Sequence, residues 1–325
     1  MSAMNTPSGP ACPVCRGNAT PKRLTGLYDD RYGYPGYFDL RECRTCAHQF
    51  LDSQFTGEEL GRLYTDFYPR SRVALEQWRP HRELGRFRLW LNRERSAVFR
   101  WVPRQCRVLD VGCGFGESLG YHRARGCVVQ GVEADENIRR IGERYGFDVR
   151  VGLFRAADYP ANSFDFVTFD QVIEHSATPV QLLADAAAVL RPGGTLLLST
   201  PNARSLSARL LGRRWVHRHP PYHLQLFCRR SLAAAAAAAG LRVEWIRLIT
   251  PPRWYGFQWL HLISRPVAGQ PSIFWRAGSP WPLGRLVARK LLSGLGRLGV
   301  NHLLAFALDG CRQGDNLVVA LRKNE

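Results

Sequence analysis

Short apolar runs alternating with helix-length amphipathic stretches organise the middle of the chain. From residue 107 onward, RVLDVG (107–112), VVQGVEA (128–134), DVRVG (148–152), SFDFVTFDQ (163–171), TLLLSTPN (195–202) and LRVEWIRLIT (241–250) read as strands, rich in β-branched and aromatic residues and bounded by turn residues. Between them, residues 116–126, 135–146, 179–190 and 229–240 read as helices; the last, RRSLAAAAAAAG, pairs the strongest helix former with a closing Gly240. This alternation predicts a parallel, doubly wound α/β sheet that binds its ligands at the carboxyl ends of the strands. A seventh strand is predicted at NLVVALRK (316–323), which leaves residues 251–312 as an insertion before it.

The flanking regions carry a different pattern. Residues 51–106 read as polar and helix-like, and Trp78, Phe87, Trp90, Phe99 and Trp101 fall near helical spacing, which predicts one aromatic seam buried against the main domain. From Arg70 to Arg107 there are eleven arginines against Glu76, Glu83 and Glu94; a solvated basic face and an anion-binding surface both fit. The insertion holds Trp254, Trp259, Trp275 and Trp281, and its second half sets Leu286, Leu292, Leu295 and Leu303 among Arg285, Arg289, Lys290 and Arg297. That is a basic amphipathic helix interrupted by glycines, suited to packing on the domain, to covering a lipid-like substrate, or to lying in a membrane interface.

Length and charge narrow the classes. At 325 residues the chain fits one large domain with a small appendage. Its 45 basic against 27 acidic residues, net +18, favour an anionic partner without choosing among nucleic acid, a membrane surface and a phosphorylated substrate; arginine-rich composition also follows from a GC-rich genome. The first thirty residues hold no apolar signal core, and no run approaches the roughly 18 apolar residues of a spanning helix, so the expected location is cytoplasmic, with peripheral contact at the inner face of the membrane as an option. Nine cysteines in that compartment point to thiols or metal ligands.

Four of them form two C-x-x-C knuckles, Cys12 with Cys15 and Cys43 with Cys46. Two knuckles can surround one Zn²⁺ tetrahedrally, and a closed four-thiolate site is structural rather than catalytic. The 27 residues between the knuckles, which include YDDRYGYPGYFDL, exceed a compact ribbon's gap and require a long hairpin. The competing reading, a redox C-x-x-C, lacks the strand–helix context of a thioredoxin unit. The expected organisation is a zinc ribbon over 1–54, a basic helical linker or lid over 55–104, and the α/β domain over 105–325.

The loop RVLDVGCGFGES carries the chemistry. A dinucleotide fingerprint G-x-G-x-x-G would put its third glycine at 117, where this chain has Glu117, and a carboxylate at that mouth repels a diphosphate. The pattern suits a nucleoside without phosphates. The segment VLDVGCGFGESLGYHRARGCVVQGVEAD resembles the S-adenosylmethionine site of class I methyltransferases, and SFDFVTFDQVIEH and VLRPGGTLLLSTPN extend the resemblance over most of residues 105–250. It implies a seven-stranded Rossmann-like methyltransferase sheet, S-adenosylmethionine as methyl donor, and a donor site built from Asp110, Gly112, Cys113, Gly114 and Gly116, from Glu133 and Ala134 at the ribose, from Leu153 or Phe154 at the adenine, and from Asp170 and Gln171.

The acceptor side is read from DQVIEHSATP, which resembles the corresponding motif of ubiquinone-biosynthesis O-methyltransferases. Glu174 and His175 are candidates for catalysis or for orienting the following helix. Gln171 stands where those enzymes carry an acidic residue linked to divalent-metal use, which argues against metal assistance. In WVHRHPPYHLQLF, His223 is the candidate general base, with His217 and His219 as substrate contacts, or it packs and hydrogen-bonds a lid. The resulting expectation is O-methylation of a small, sugar or lipid-linked acceptor, with structural zinc in the ribbon. An RNA base methyltransferase with a zinc ribbon is the alternative, and a non-catalytic binding protein on the same scaffold is the third reading.

Overall fold

The computed structural model describes residues 9–53, 55–56, 59, 62–68, 75–276 and 279–324. The start of the basic run, residues 70–74, lies outside them. The chain divides into two compact units, one of Met1–Pro69, Pro201–Ser231 and Leu248–Asn316 and the other of Arg70–Thr200, Leu232–Arg247 and Leu317–Glu325. This grouping cuts across the linear division at residues 54 and 104. Backbone pairing supplies the reason, because a strand far along the chain completes the N-terminal ribbon.

That ribbon starts with β1 (Lys22–Leu27), β2 (Phe38–Glu42) and β3 (Gln49–Leu51), paired antiparallel in sequence order. The chain then enters the second unit through β4 (Arg107–Val111), β5 (Val128–Glu133), β6 (Asp148–Val151), β7 (Phe164–Asp170) and β8 (Leu190–Pro201). It returns as β9 (Gln225–Leu226), which pairs with β3 through Gln49↔Leu226 and Phe50↔Gln225. β10 (Leu241–Leu248) and β11 (Asn316–Lys323) finish the large sheet.

The large sheet has the order β10-β11-β8-β7-β4-β5-β6, and the pairs among β4 to β8 are parallel. Counted from β4, the first five strands run 3-2-1-4-5, a doubly wound arrangement whose order reverses at β4. The expected helices form between them at Glu117–Arg123, Asn137–Tyr145, Pro179–Val189 and Arg229–Ala238. β4 is buried along Val108, Leu109, Asp110 and Val111, as a central parallel strand with both faces covered must be. One core cluster of this unit joins Leu119, Ile138 and Ile141 to Trp78 and Phe147. In the first unit Leu27, Phe38, Leu40, Leu51 and Leu226 pack around the fully buried Trp215.

Two sequence-based expectations change. Among the described residues, the stretch 51–106 forms no continuous helix but short pieces, a π-turn at Leu63–Phe67, an α-helix at Arg86–Leu91 and several 3-10 turns, since Pro80, Gly85 and Pro103 interrupt it. Its aromatics therefore do not form one seam: Trp78 and Phe99 are buried, while Phe87 and Trp90 stand 69% and 59% exposed. The insertion forms three helices, Pro252–Ser264, Leu283–Arg297 and Val300–Gly310. The last two are bent by 64° at a break where Gly299 is left-handed.

Candidate active site

At the carboxyl end of β4 the backbone must reverse sharply into a helix. Gly112, Gly114 and Gly116 all take left-handed conformations, with φ of +70°, +56° and +75°, which an L side chain enters only with strain. At Gly112 there is a second reason: an added Cβ would sit 2.6 Å from Cγ2 of Val172. Gly112 and Gly114 are open to solvent, so this turn presents bare backbone to a ligand. The turn is tied down by Gly112 and Cys113, whose N–H groups donate to the Val132 carbonyl at 2.8 and 3.2 Å. Gly131 leaves room for the buried Cys113 side chain, since a Cβ there would meet its Sγ at 2.9 Å.

Asp110 lies beneath the turn, paired in register with Gly131 and Thr168 on the neighbouring strands. It is buried, and its carboxylate accepts hydrogen bonds from the Ser118 hydroxyl and, at 2.6 Å, from the Thr168 hydroxyl. Burial raises its pKa from 3.8 to about 6, opposed by those two hydrogen bonds. Glu133 ends β5 and faces the same loop: Oε2 accepts from the Gly114 N–H at 2.9 Å and Oε1 from the Asp135 N–H at 3.0 Å. Each oxygen keeps further acceptor capacity. Ala134 is exposed beside it.

The remaining donor-site candidates come from the ends of β6 and β7. Leu153 is 76% exposed, whereas Phe154 is buried against Phe169 and Tyr159. The two therefore differ in kind, one an apolar surface and the other core. Asp170 accepts from the Ser199 hydroxyl, and Gln171 donates to Ser199 Oγ at 2.8 Å while its own backbone is left-handed at φ +58°. A non-glycine residue in that region marks a turn held against strain. Just beyond, Glu174 is fully buried, with Oε2 accepting from the Thr200 hydroxyl at 3.1 Å. Burial raises its carboxyl to about 8. His175 is partly exposed and its N–H closes a turn onto the Val172 carbonyl.

Within the second unit, the loop, Asp110, Glu133, Asp170 and Gln171 thus gather at the carboxyl ends of β4, β5 and β7, where a doubly wound sheet binds ligands. Residues 71–245 match the family described as Methyltransferase domain. The chain belongs to this methyltransferase-domain family. It is a class I S-adenosylmethionine-dependent methyltransferase. The chain is similar to the ubiquinone biosynthesis O-methyltransferase of Thiobacillus denitrificans, 28% identical over 192 residues that cover 54% of this chain and 81% of that protein. It is 31% identical over 148 residues to the namesake of Hahella chejuensis, covering 43% and 60%. Among solved structures, the 1,6-didemethyltoxoflavin-N1-methyltransferase of Burkholderia thailandensis covers 90% of this chain and 99% of its own, at 15% identity and a TM-score of 0.45.

The first unit of the methyltransferase holds the other candidates. The Sγ atoms of Cys12, Cys15, Cys43 and Cys46 all lie within 4.8 Å of one another, with Cys12 to Cys46 at 3.6 Å and Cys15 to Cys43 at 3.5 Å. Four sulfurs around one tetrahedral Zn²⁺ stand about 3.8 Å apart, so the cluster has the size of such a site. His223 is buried and its Nδ1 lies 2.9 Å from the His217 carbonyl. A carbonyl only accepts, so Nδ1 carries the proton and Nε2 the basic lone pair. His219 stacks on Tyr222 at 4.8 Å, and Tyr32 meets both rings edge-on. His217 packs 4.1 Å from Trp254, and burial holds its pKa well below 6.5.

Two groups of site-forming residues escaped the sequence reading. Trp78 donates its indole N–H to the Phe115 carbonyl at 2.7 Å and stacks on Tyr145, pinning the glycine turn. The excess residues between the cysteine knuckles form the second group. Asp29 is buried and accepts from the backbone N–H groups of Arg31, Tyr32 and Tyr34, and Arg31 reaches the Val216 carbonyl beside the histidines. The over-long gap was the signal for them.

Gly112→Ala should destabilise the protein by about 1–2 kcal/mol and weaken donor binding, read by urea unfolding and by titration with S-adenosylhomocysteine. Adding Val172→Ala should recover only the part due to the clash. Asp110 gives a pH-dependent prediction. Its folded pKa exceeds its unfolded one, so the native state binds more protons between about 4 and 6 and stability falls as pH rises through that window. The cost is fully present above pH 6, at up to about 3 kcal/mol for two pKa units. Asp110→Asn, whose amide the Ser118 and Thr168 hydroxyls can rotate to meet, should therefore raise stability at pH 7 and leave it unchanged near pH 4 in unfolding curves.

Proposed function

We propose that this methyltransferase transfers a methyl group to a hydroxyl of a small, sugar or lipid-linked acceptor. The observation that carries the reading is the His223 tautomer, an Nε2 base set by the His217 carbonyl, in a loop rich in aromatic and histidine side chains. The relatives it resembles over residues of its α/β domain bear the name O-methyltransferase, which supports oxygen as the atom methylated.

S-adenosylmethionine supplies an electrophilic methyl group on its sulfonium. This chain's residues have to hold the donor and remove one proton. Asp110 meets the donor's ammonium, directly or through water, and the open backbone of Gly112 and Gly114 admits its methionyl part. Glu133 accepts from the two ribose hydroxyls while keeping its amide donors at Gly114 and Asp135. Leu153 offers an apolar surface to the adenine. His223 takes the acceptor's proton. Glu174, uncharged at neutral pH because burial raises its carboxyl to about 8, acts as a hydrogen-bond donor rather than a base. Gln171 brings no carboxylate to the site, so the proton transfer rests on histidine.

The same proposal assigns structural Zn²⁺ to Cys12, Cys15, Cys43 and Cys46. Four thiolates would fill the coordination of such an ion, which would leave it a structural rather than a chemical role. Its role is to hold the β1–β2–β3 ribbon to which β9 pairs.

Glu133→Ala should lose two charge-assisted hydrogen bonds and weaken S-adenosylhomocysteine binding by about 2 kcal/mol or more in a calorimetric titration. Unchanged affinity would place the ribose elsewhere. Elemental analysis should find one zinc per chain, and Cys43→Ala should lose it together with several kcal/mol of stability; a metal-free parent with the same unfolding curve would reject the assignment.

A further inference from the structure

The helix Leu283–Arg297 has no buried residue. It packs against Pro252–Ser264 and Val300–Gly310 on the side of Leu286 and Leu292, both half-buried. The other side carries Leu283, Val287, Leu291 and Leu295, four apart, with Leu298 just beyond the last turn. At 100° per residue these five fall within about 120° of the helix circumference. Each is 47% to 80% exposed. They form an outward apolar stripe that shares only Leu295 with the leucines singled out by the sequence periodicity, Leu286 and Leu292 lying on the opposite side.

Charge says what covers it. Arg285, Arg289, Lys290 and Arg297 are exposed along the same helix, Lys290 and Arg297 bordering the stripe. Residues 245–308 hold eight arginines and lysines and no aspartate or glutamate. A second copy of this face would bring like charges together with no carboxylate to offset them. An anionic lipid surface supplies apolar depth and phosphate charge along the whole length of the helix. No single helix among the described residues is long and apolar enough to cross a bilayer, and the bend at Leu298–Gly299 separates this helix from the next. Cations spread along its length suit the interfacial plane, where each stays at headgroup level, rather than a spanning pose that would draw some to the bilayer centre.

We propose that the outward face of Leu283–Arg297 docks the protein on an anionic bilayer, with Leu283, Val287, Leu291, Leu295 and Leu298 among the acyl chains and the bordering Lys290 and Arg297 at the lipid phosphates. The inference stands apart from the identity of the acceptor. Full-length protein should sediment with vesicles in which about one-third of the phosphatidylcholine is replaced by phosphatidylglycerol, and far less with phosphatidylcholine alone. Val287→Glu with Leu291→Glu should lower the partition coefficient roughly tenfold or more. Lys290→Gln with Arg297→Gln should abolish the preference for the anionic vesicles without touching the apolar stripe. Both variants change exposed side chains and should keep the parent's S-adenosylhomocysteine affinity, which separates loss of docking from loss of the donor site. Three results would overturn the proposal: no binding of the parent to either vesicle, binding unaffected by both variants, or a solution dimer dissociated by the glutamates in a protein that ignores lipid. The last would assign the face to a second copy.

Discussion

A carboxylate kept almost out of water, Asp110, sets the geometry of the donor site. It sits in the central strand with Gly131 and Thr168 beside it, and the hydroxyls of Ser118 and Thr168 satisfy it from the helix and the strand that flank the glycine turn. An unsatisfied carboxylate at this depth would cost several kcal/mol, so Ser118 must stand at the start of its helix and the turn must be short. Three left-handed glycines make it short. The open backbone at Gly112 and Gly114 follows from the same constraint.

Polar groups that hold backbone, rather than a large apolar core, also define the first unit. Asp29 collects three N–H groups, Arg218 bridges from its loop to the Gln49 side chain at 2.7 Å, and Gln258 accepts from the Val216 N–H while donating to the Arg214 carbonyl. The Arg218 and Gln258 bonds join segments distant in sequence, whereas those of Asp29 close a local turn. Removing one partner leaves a buried group unpaired, which costs more than the bond itself contributes, so these contacts make the histidine loop's shape specific.

The α/β sheet was legible because its signals are local: apolar runs of strand length, helix stops at glycine, and a glycine turn whose spacing excludes a diphosphate. Glu133 and Asp110 could be placed because each ends a strand. The first unit was not legible as a unit. β9 is two residues long, and its pairing with β3 spans more than half the chain, so nothing near Gln225 announces a sheet. The stretch 51–106 misled for the opposite reason: its aromatics have helical spacing, yet Pro80, Gly85 and Pro103 break the period, and tertiary packing chose Trp78 and Phe99 while leaving Phe87 and Trp90 outside. Periodicity predicted that Leu283–Arg297 is amphipathic but not which side faces solvent, because that depends on the neighbouring helices.

Burial decides the protonation of the candidate acid–base groups more than any neighbouring charge does. Desolvation penalises the charged form, so it raises carboxyls and lowers imidazoles. Glu174 is pushed to about 8 and His217 well below 6.5, and both are uncharged at neutral pH. The His217 backbone carbonyl lies against His223, and one carbonyl acceptor is enough to put the proton on Nδ1. The Nδ1 proton of His223 is thus set by the chain's own backbone.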